Sequence, residues 1–415
     1  MLILDYLSWM FEWLRNVTLS YDNTDPSFPN AFKFKCAVTD SKGPRRFMED
    51  AHSIVVPYAG VRGQGFFAIF DGHAGKQAAE WCGQNFSMRF LQALRRNHNG
   101  SSIPDTLNET FHDVDTTLSR MTEESEGKMH SGCTAVTAFL RLEDYEGKQS
   151  FLPHDFDPFK SSMEMIEDAN GSSDESGGES PDRKRQKKSS TSKIKDAFKS
   201  LGGSGSTTTG NNANVNSSSG KVTSSSMPGS ISESSSRNSM MSVDKREKER
   251  IFTPNHSMSS NIRRVLYCAN AGDARGVLCR GGKAVRLTYD HKGSDKQEAK
   301  RIMDAGGFVM SGRVNGVLAV TRSLGDSSMK EFVVGAPYTT ETELCEDDEF
   351  LILACDGLWD VIEDQAAVEL VRGIADPKRA AELLLDTAYK NYSTDNVTVL
   401  VVRFRNPPEN IEKKQ

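Results

Sequence analysis

Hydrophobic positions along this chain fall into short unbroken runs, alternations and helical stripes, interrupted near the middle by a long polar stretch. The run Phe66, Phe67, Ala68, Ile69, Phe70 reads as a buried strand, and it stops at Asp71, Gly72 and His73. A second run, FLILAC (350–355), stops at Asp356 and Gly357. A third, VTVLVVRF (397–404), begins directly after Asp395 and Asn396. Further strands are predicted over 32–38, 52–56 and 133–142, with three short ones in VLYCANAGDARGVLCRGGKAVRL and a strand-like VNGVLAVT.

Helical spacing is equally plain. Ala78, Ala79, Cys82, Phe86, Phe90 and Leu94 recur at intervals of three and four, as do Leu107, Phe111, Val114, Leu118 and Met121. Ser294 and Gln297 fit a capping box for a helix that stops at Gly306-Gly307. Two more helices are predicted over 364–373 and 378–390.

Between these segments, residues 143–261 are dominated by Ser, Gly, Asn, Thr and charged residues, in stretches such as SSDESGGES and GGSGSTTTGNNANVNSSSG. Such composition cannot bury a core, so a disordered insertion is expected between two strands of one domain. The basic run RKRQKK (183–188) inside it reads as a nuclear localisation signal or, equally well, as a solvated charge run. Residues 1–30 read as an N-terminal extension, the folded domain as 31–405 and residues 406–415 as a tail. Leu4, Leu7, Phe11 and Leu14 share one helical face, which suits an interfacial or docking helix or one packed on its own domain. The apolar start is too short for a spanning helix, which needs about 20 apolar residues, and it lacks the marks of a signal peptide. A membrane partner is not expected.

Composition narrows the picture further. Across 415 residues, 37% are apolar and the mean hydropathy is −0.52, which is polar for a wholly folded chain. A net charge of −6 carries no global basic field, so no nucleic-acid partner is expected. The seven cysteines are scattered without a C-x-x-C pair, which suits a reduced intracellular protein. Nothing in the pattern calls for an oligomer, so a monomer is expected.

Three buried-looking strands thus carry an aspartate at one end: Asp71, Asp356 and Asp395. Each alone is an ordinary turn or cap residue. Convergent carboxylates, however, repel one another unless a cation holds them, and all-oxygen ligation suits Mg²⁺ or Mn²⁺ rather than Zn²⁺. Arg45 offers a fork for a phosphate, and His73 a proton donor near neutral pH. The sum is a metal-assisted phosphate hydrolase. No cysteine is followed six residues later by arginine, which excludes the cysteine-phosphatase mechanism, and no G-x-x-x-x-G-K-[ST] loop is present.

The motifs RRFMED (45–50), FDGHAG (70–75), SGCTAV (131–136), NAGDAR (270–275), DHKGSD (290–295), RVNGVLAVTRSLGD (313–326), LACDGLWD (353–360) and TDNVTV (394–399) resemble, in order, those of the PPM, or type 2C, protein serine/threonine phosphatases. The resemblance implies an α+β fold: a central β-sandwich of two antiparallel sheets flanked by helices. It implies a binuclear Mg²⁺ or Mn²⁺ centre held by Asp71, the Gly72 carbonyl, Asp356 and Asp395, and hydrolysis of phosphoserine and phosphothreonine by metal-activated water. Glu49 and Asp50 would act mainly through metal-bound waters, with Asp50 assisting the attacking water. Arg45 would bind the phosphate and His73 would be the general acid. Asp273, with Asp356, would hold a weaker third ion. Trp359 and Asp360 are expected to be structural, Asn396 to support Asp395, and Cys355 to be a buried strand residue. DHKG, GDAR and DGHAG depart from the commoner DHKP, GDSR and DGHGG without removing a ligand.

Within the family, LTYDHKGSD, VVGAPYTTETEL and LILACDGLWDVIEDQ look closest to the fungal type 2C phosphatase that restrains the stress-activated MAP kinase of the osmosensing pathway. That implies a phosphothreonine on a MAP-kinase activation loop as a substrate, which an adaptor could deliver; the reduced cysteines suit the cytoplasm, and the basic run 183–188, as a localisation signal, would add the nucleus. The competing expectation is a catalytically silent PPM-like module that binds partners through its insertion. Such a module would be free to lose its metal ligands, and none is missing here.

Overall fold

The apolar run that ends at Asp71 is a central strand, and its alternate residues serve two different cores. The computed structural model describes residues 19–20, 28–97, 101–126, 128–154, 156 and 251–408. In chain order the chain forms β1 (Leu19–Ser20), β2 (Lys35–Ser41), β3 (Ala51–Val55) and β4 (Gly65–His73), then helices α1 (Gln77–Arg96) and α2 (Ile103–Glu124). β5 (Gly132–Glu143), β6 (Arg263–Ala271), β7 (Arg275–Arg280) and β8 (Lys283–Arg286) precede helix α3 (Lys296–Asp304). The short β9 (Val309–Met310), β10 (Arg313–Val314) and β11 (Leu324–Gly325) lead to β12 (Tyr338–Glu343) and β13 (Asp348–Ala354). Helices α4 (Asp356–Trp359), α5 (Asp364–Val371) and α6 (Pro377–Lys390) and strand β14 (Val397–Arg403) complete the order.

One sheet runs β1-β2-β14-β13-β7-β8 and the other β12-β6-β5-β4-β3, with β11 on the start of β5. Phe67 and Ile69 of β4 face the β13–β14 sheet and meet Leu351, Leu353, Leu400 and Val402 between the layers. Phe66, Ala68 and Phe70 face the other way, against Phe86 and Phe90 of α1 and Phe111 of α2. β13 divides its side chains likewise: Leu351 and Leu353 inward, Phe350 and Ile352 onto α5 and α6. This two-sided burial is why both strands read as continuous apolar runs rather than alternations. Each fully buried Phe contributes about 1.5–3 kcal/mol, so β4 alone anchors both layers. The expected fold, helices on each outer face of an antiparallel sandwich, is the one found.

The folded chain extends beyond the bounds that composition suggested. Residues 1–30 read as an extension outside the folded domain, yet Leu19–Ser20 pair with Cys36 and Lys35 of β2, and Phe28 is buried against Phe32, Val61, Leu142 and Ile262. Two aromatics, Tyr21 and Phe28, in the polar stretch 18–30 are too sparse a pattern to announce themselves. At the insertion, the described residues run through 154 and 156 and begin again at 251. Phe151, Leu152, Phe156, Phe252 and Met258 pack on the cluster around Phe28. Glu143 lies fully buried between Arg141 and Arg263. The apolar face of residues 1–15, the basic run 183–188 and the end of the tail lie outside the described residues.

Three local readings also shift. Helix α3 is capped by Asp295, whose carboxylate accepts from the Gln297 and Glu298 amides at 2.8 and 3.0 Å, not by Ser294. VNGVLAVT does not form one strand, because Asn315 and Gly316 take positive φ of 51° and 73° and turn the chain back. Polar YTTETE, absent from the expected strands, pairs along β6 as an edge strand, where alternation of apolar residues is not required.

The rings of Phe156 and Phe252 sit 5.7 Å apart, so the two roots of the insertion meet. Replacing 157–250 by a short Gly-Ser linker is therefore expected to keep the melting temperature within a few degrees of the parent, whereas deleting all of 143–261 strips the Phe151–Phe252 cluster and lowers it well beyond that. Thermal melts of the two deletions check this; equal melting temperatures would show that the roots contribute nothing.

Candidate metal centre

The centre is built at the end of the sandwich where β4 and β13 stop and β14 starts. β4 carries Asp71, Gly72 and His73 past its apolar run, opposite Thr134, Cys133 and Gly132 of β5. A Cβ on Gly72 would lie 2.2 Å from the Glu49 carbonyl oxygen, so only glycine lets the loop bearing Glu49 and Asp50 close on this strand. That loop is tied down from β14's side. Asn396 Oδ1 accepts from the Glu49 amide at 2.8 Å, and its Nδ2 donates to the Lys42 and Phe47 carbonyls, each at 3.0 Å. The side chain of Asn396 thus supports the Glu49 loop; toward Asp395 it contributes only its backbone amide, at 2.7 Å.

β13 ends at Cys355, and Asp356 opens α4. A Cβ on Gly357 would meet the Asn396 carbonyl oxygen at 2.0 Å, a second place where backbone packs on backbone. Trp359 Nε1 donates to the Ala354 carbonyl at 3.0 Å, which fits its expected structural role. Asp273 comes from the β6–β7 turn. Oxygens of Asp71, Asp273 and Asp356 lie within 4.8 Å of one another, and ligand atoms of Asp50, Asp71 and Cys355 form a second such group. Asp395 is held by Arg45 through a 2.6 Å ion pair at the rim. Glu49 Oε1 accepts from the Gly75 amide at 2.8 Å. Asp50, Asp71, Asp273 and Asp356 thus meet in two overlapping groups, and Asp395, paired with Arg45, lies within electrostatic reach of Asp71 and Asp356.

His73 turns toward a residue that motif reading passed over. Its Nε2 lies 2.7 Å from Asp326 Oδ2, and Asp326, 7% exposed, also accepts from the Ser323 hydroxyl. The signal was present in SLGD, but a contact across so long a sequence separation has no local signature. Thr398, which donates to Asp50 Oδ2 at 2.7 Å, was missed for the same reason, and so was Lys292 Nζ, 3.4 Å from Asp273 Oδ2.

Electrostatics mark the cluster as strained without a cation. Burial, then Asp356 and the other neighbouring carboxylates, raises the Asp71 pKa well above the carboxylate range. Burial and Asp273 push Asp356 up to about 8. Burial pushes Asp50 up to about 6 and raises Asp273. Asp50 Oδ1 and Asp273 Oδ1 are buried with no hydrogen-bond partner among the described residues. Such orphaned carboxylate oxygens fit a hard divalent ion. Burial also raises the Cys355 thiol well above its ordinary pKa. The carboxylates of Asp50, Asp71, Asp273 and Asp356 offer oxygen donors of the kind a hard divalent ion takes.

With this geometry in place, comparison with known proteins gives a consistent result. The family model described as protein phosphatase 2C matches residues 34–145 and 251–397, leaving out the insertion. Protein phosphatase 2C homolog 1 of Saccharomyces cerevisiae is 34% identical over 91% of this chain and 96% of its own length. Protein phosphatase 2C homolog 1 of Schizosaccharomyces pombe is 32% identical, over 94% of this chain and 78% of its own. Among solved structures, a phosphatase from Toxoplasma gondii shares the fold at a TM-score of 0.55 and 20% identity, covering 94% of this chain and 96% of that one.

Proposed function

Because this chain belongs to the protein phosphatase 2C family and is therefore a metal-dependent serine/threonine phosphatase, we propose that the carboxylate cluster holds two Mg²⁺ or Mn²⁺ ions and that the residues around it divide the hydrolysis of phosphoserine and phosphothreonine in proteins. The observation that supports this most is the meeting of Asp71, Asp273 and Asp356, from three separate strand ends, within 4.8 Å. Asp71, Asp356, Asp395 and the Gly72 carbonyl would hold the ions, with Glu49 and Asp50 behind them. Bound ions supply Lewis acidity at the phosphoryl oxygens and a more acidic attacking water.

The chain's own groups do the rest. Arg45, half-exposed beside Asp395, orients the phosphate with its fork. Asp50 Oδ2 is anchored by Thr398, which leaves Oδ1 to take the proton of the attacking water. Asp326 faces His73 Nε2 at 2.7 Å and holds the ring there; in its doubly protonated form the ring donates Nε2–H to Asp326 and keeps the Nδ1 proton for the leaving serine or threonine oxygen.

For the substrate, the motif resemblance supports a MAP-kinase activation loop carrying phosphothreonine, delivered by an adaptor. Cysteines that are free and, except for Cys345, buried suit a reduced compartment, cytoplasm and nucleus, and the enzyme works as a monomer. The test is phosphate release from a phosphothreonine peptide by the purified protein. Mn²⁺ is expected to support it and EDTA to abolish it. Activity that survives EDTA would refute the metal reading, and none under any condition would favour a silent binding module.

A further inference from the structure

Next to the carboxylate cluster lies a positive charge that the proposed reaction does not use. Lys292 Nζ sits 2.8 Å from Asp360 Oδ1 and 3.4 Å from Asp273 Oδ2. It is placed there by main-chain bonds. The His291 amide donates to the Gly272 carbonyl at 2.9 Å, one residue before Asp273, and the Thr321 amide donates to the His291 carbonyl at 3.0 Å. The Asp295 amide donates to the Lys292 carbonyl at 3.0 Å, and Lys292 bridges to Val320. The 290s loop is thereby stitched to the turn that carries Asp273, and the lysine stem has little freedom to leave.

The other charged groups nearby leave the ammonium to this cluster. Arg275 is engaged by Asp290 and Asp364, and Arg286 by Asp364 at 2.8 Å. Asp356 lies within electrostatic reach of Lys292, and Asp273 Oδ1, buried and unpartnered, faces the same cluster. A groove of about 350 Å³, lined by Arg286, Tyr289, Lys292 and Asp295, opens beside it.

We propose that the Lys292 ammonium is a tethered cation that neutralises the Asp273–Asp360 edge of the cluster and thereby keeps a further divalent ion weakly bound there. Asp273, Asp356 and Asp360 together offer enough oxygen for such an ion. The ammonium claims two of those carboxylates in advance and repels a divalent ion at the same place. This inference rests on the metal reading above and concerns the outer edge of the centre, where Asp356 is shared with the ligands that carry the chemistry.

Equilibrium dialysis of the full chain against Mn²⁺ tests it without reference to turnover. In Lys292→Met, which keeps the stem and removes the charge, the weakest Mn²⁺ binding step is expected to tighten by about tenfold. Lys292→Arg, which keeps the charge, is expected to leave the isotherm within about twofold of the parent. Lys292→Gln serves as the second neutral variant should Lys292→Met fail to fold. Superimposable isotherms for parent and neutral variants overturn the inference, as does tightening of the same size in Lys292→Arg. A parent that takes up no Mn²⁺ overturns the metal reading as well, and is recognised because every variant is then equally silent.

Discussion

Asp71→Asn is expected to melt higher than the parent in EDTA while losing Mn²⁺ binding and more than about 100-fold in phosphatase activity, the opposite signs arising from one cause. Asp71 stands among Asp50, Asp273, Asp356 and Asp395, all of which raise its pKa. Removing its charge relieves that repulsion in the metal-free protein and deletes the carboxylate common to the two acidic groups. The same repulsion sets a pH dependence. An acid whose pKa is raised on folding binds its proton more tightly folded than unfolded, so stability is lost as pH rises from the unfolded value through the folded one. Asp50, raised from 3.8 to about 6, is worth roughly 3 kcal/mol by itself at 1.36 kcal/mol per unit, a sizeable part of a typical 5–15 kcal/mol. With Asp356 raised to about 8, the melting temperature in EDTA should fall between about pH 4 and pH 8. Glu298 works in the opposite sense: Arg322, Arg301 and Thr321 outweigh its burial and hold it down to about 2, so its stabilisation disappears only in stronger acid. Saturating Mn²⁺ should flatten the alkaline decline by binding only the folded state. Melts of parent and Asp71→Asn across that range decide the matter; a variant that melts at or below the parent in EDTA would mean the carboxylates are not repelling one another.

His73→Gln is expected to slow hydrolysis of a phosphothreonine peptide by about 10²–10⁴ while slowing p-nitrophenyl phosphate far less. An alkoxide leaves poorly without a proton, whereas nitrophenolate needs none. Asp326→Asn should follow the same pattern at reduced size, because it disturbs the ring without removing it: Nε2 loses a charged partner at 2.7 Å. The ratio of the two substrates' kcat/KM is the measurement, since general damage to the centre lowers both alike. Equal losses on the two esters in His73→Gln would count against proton donation.

Much of this was legible along the chain. A strand buried on both faces must be apolar throughout, so β4 and β13 declared themselves, and the aspartates that end them stood out against that background. Helices α1 and α2 showed their inward faces because one stripe of each packs on a sheet. What stayed hidden depends on distant partners. Asp326 matters because of His73, Thr398 because of Asp50, and Lys292 because of Asp273, and no periodicity encodes such pairs. Composition misplaced the limits of the insertion for a related reason. Phe151 and Phe252 are isolated aromatics in polar surroundings, and only their mutual packing makes them part of the core.

The sandwich is pinned differently at its two ends. At the acidic end, Gly72 rests on the Glu49 carbonyl and Gly357 on the Asn396 carbonyl, main chain against main chain. At the other end, where β5 leaves and β6 enters, aromatic side chains close the gap. Side chains can be exchanged one for another and carbonyls cannot. Mutational drift can therefore rework the aromatic end, and lengthen or shorten what is spliced into it, while the spacing between the strands that carry Asp71 and Asp356 stays as it is. The two ends, one held by main chain and the other by side chains, lie about 35 Å apart, the length of β5.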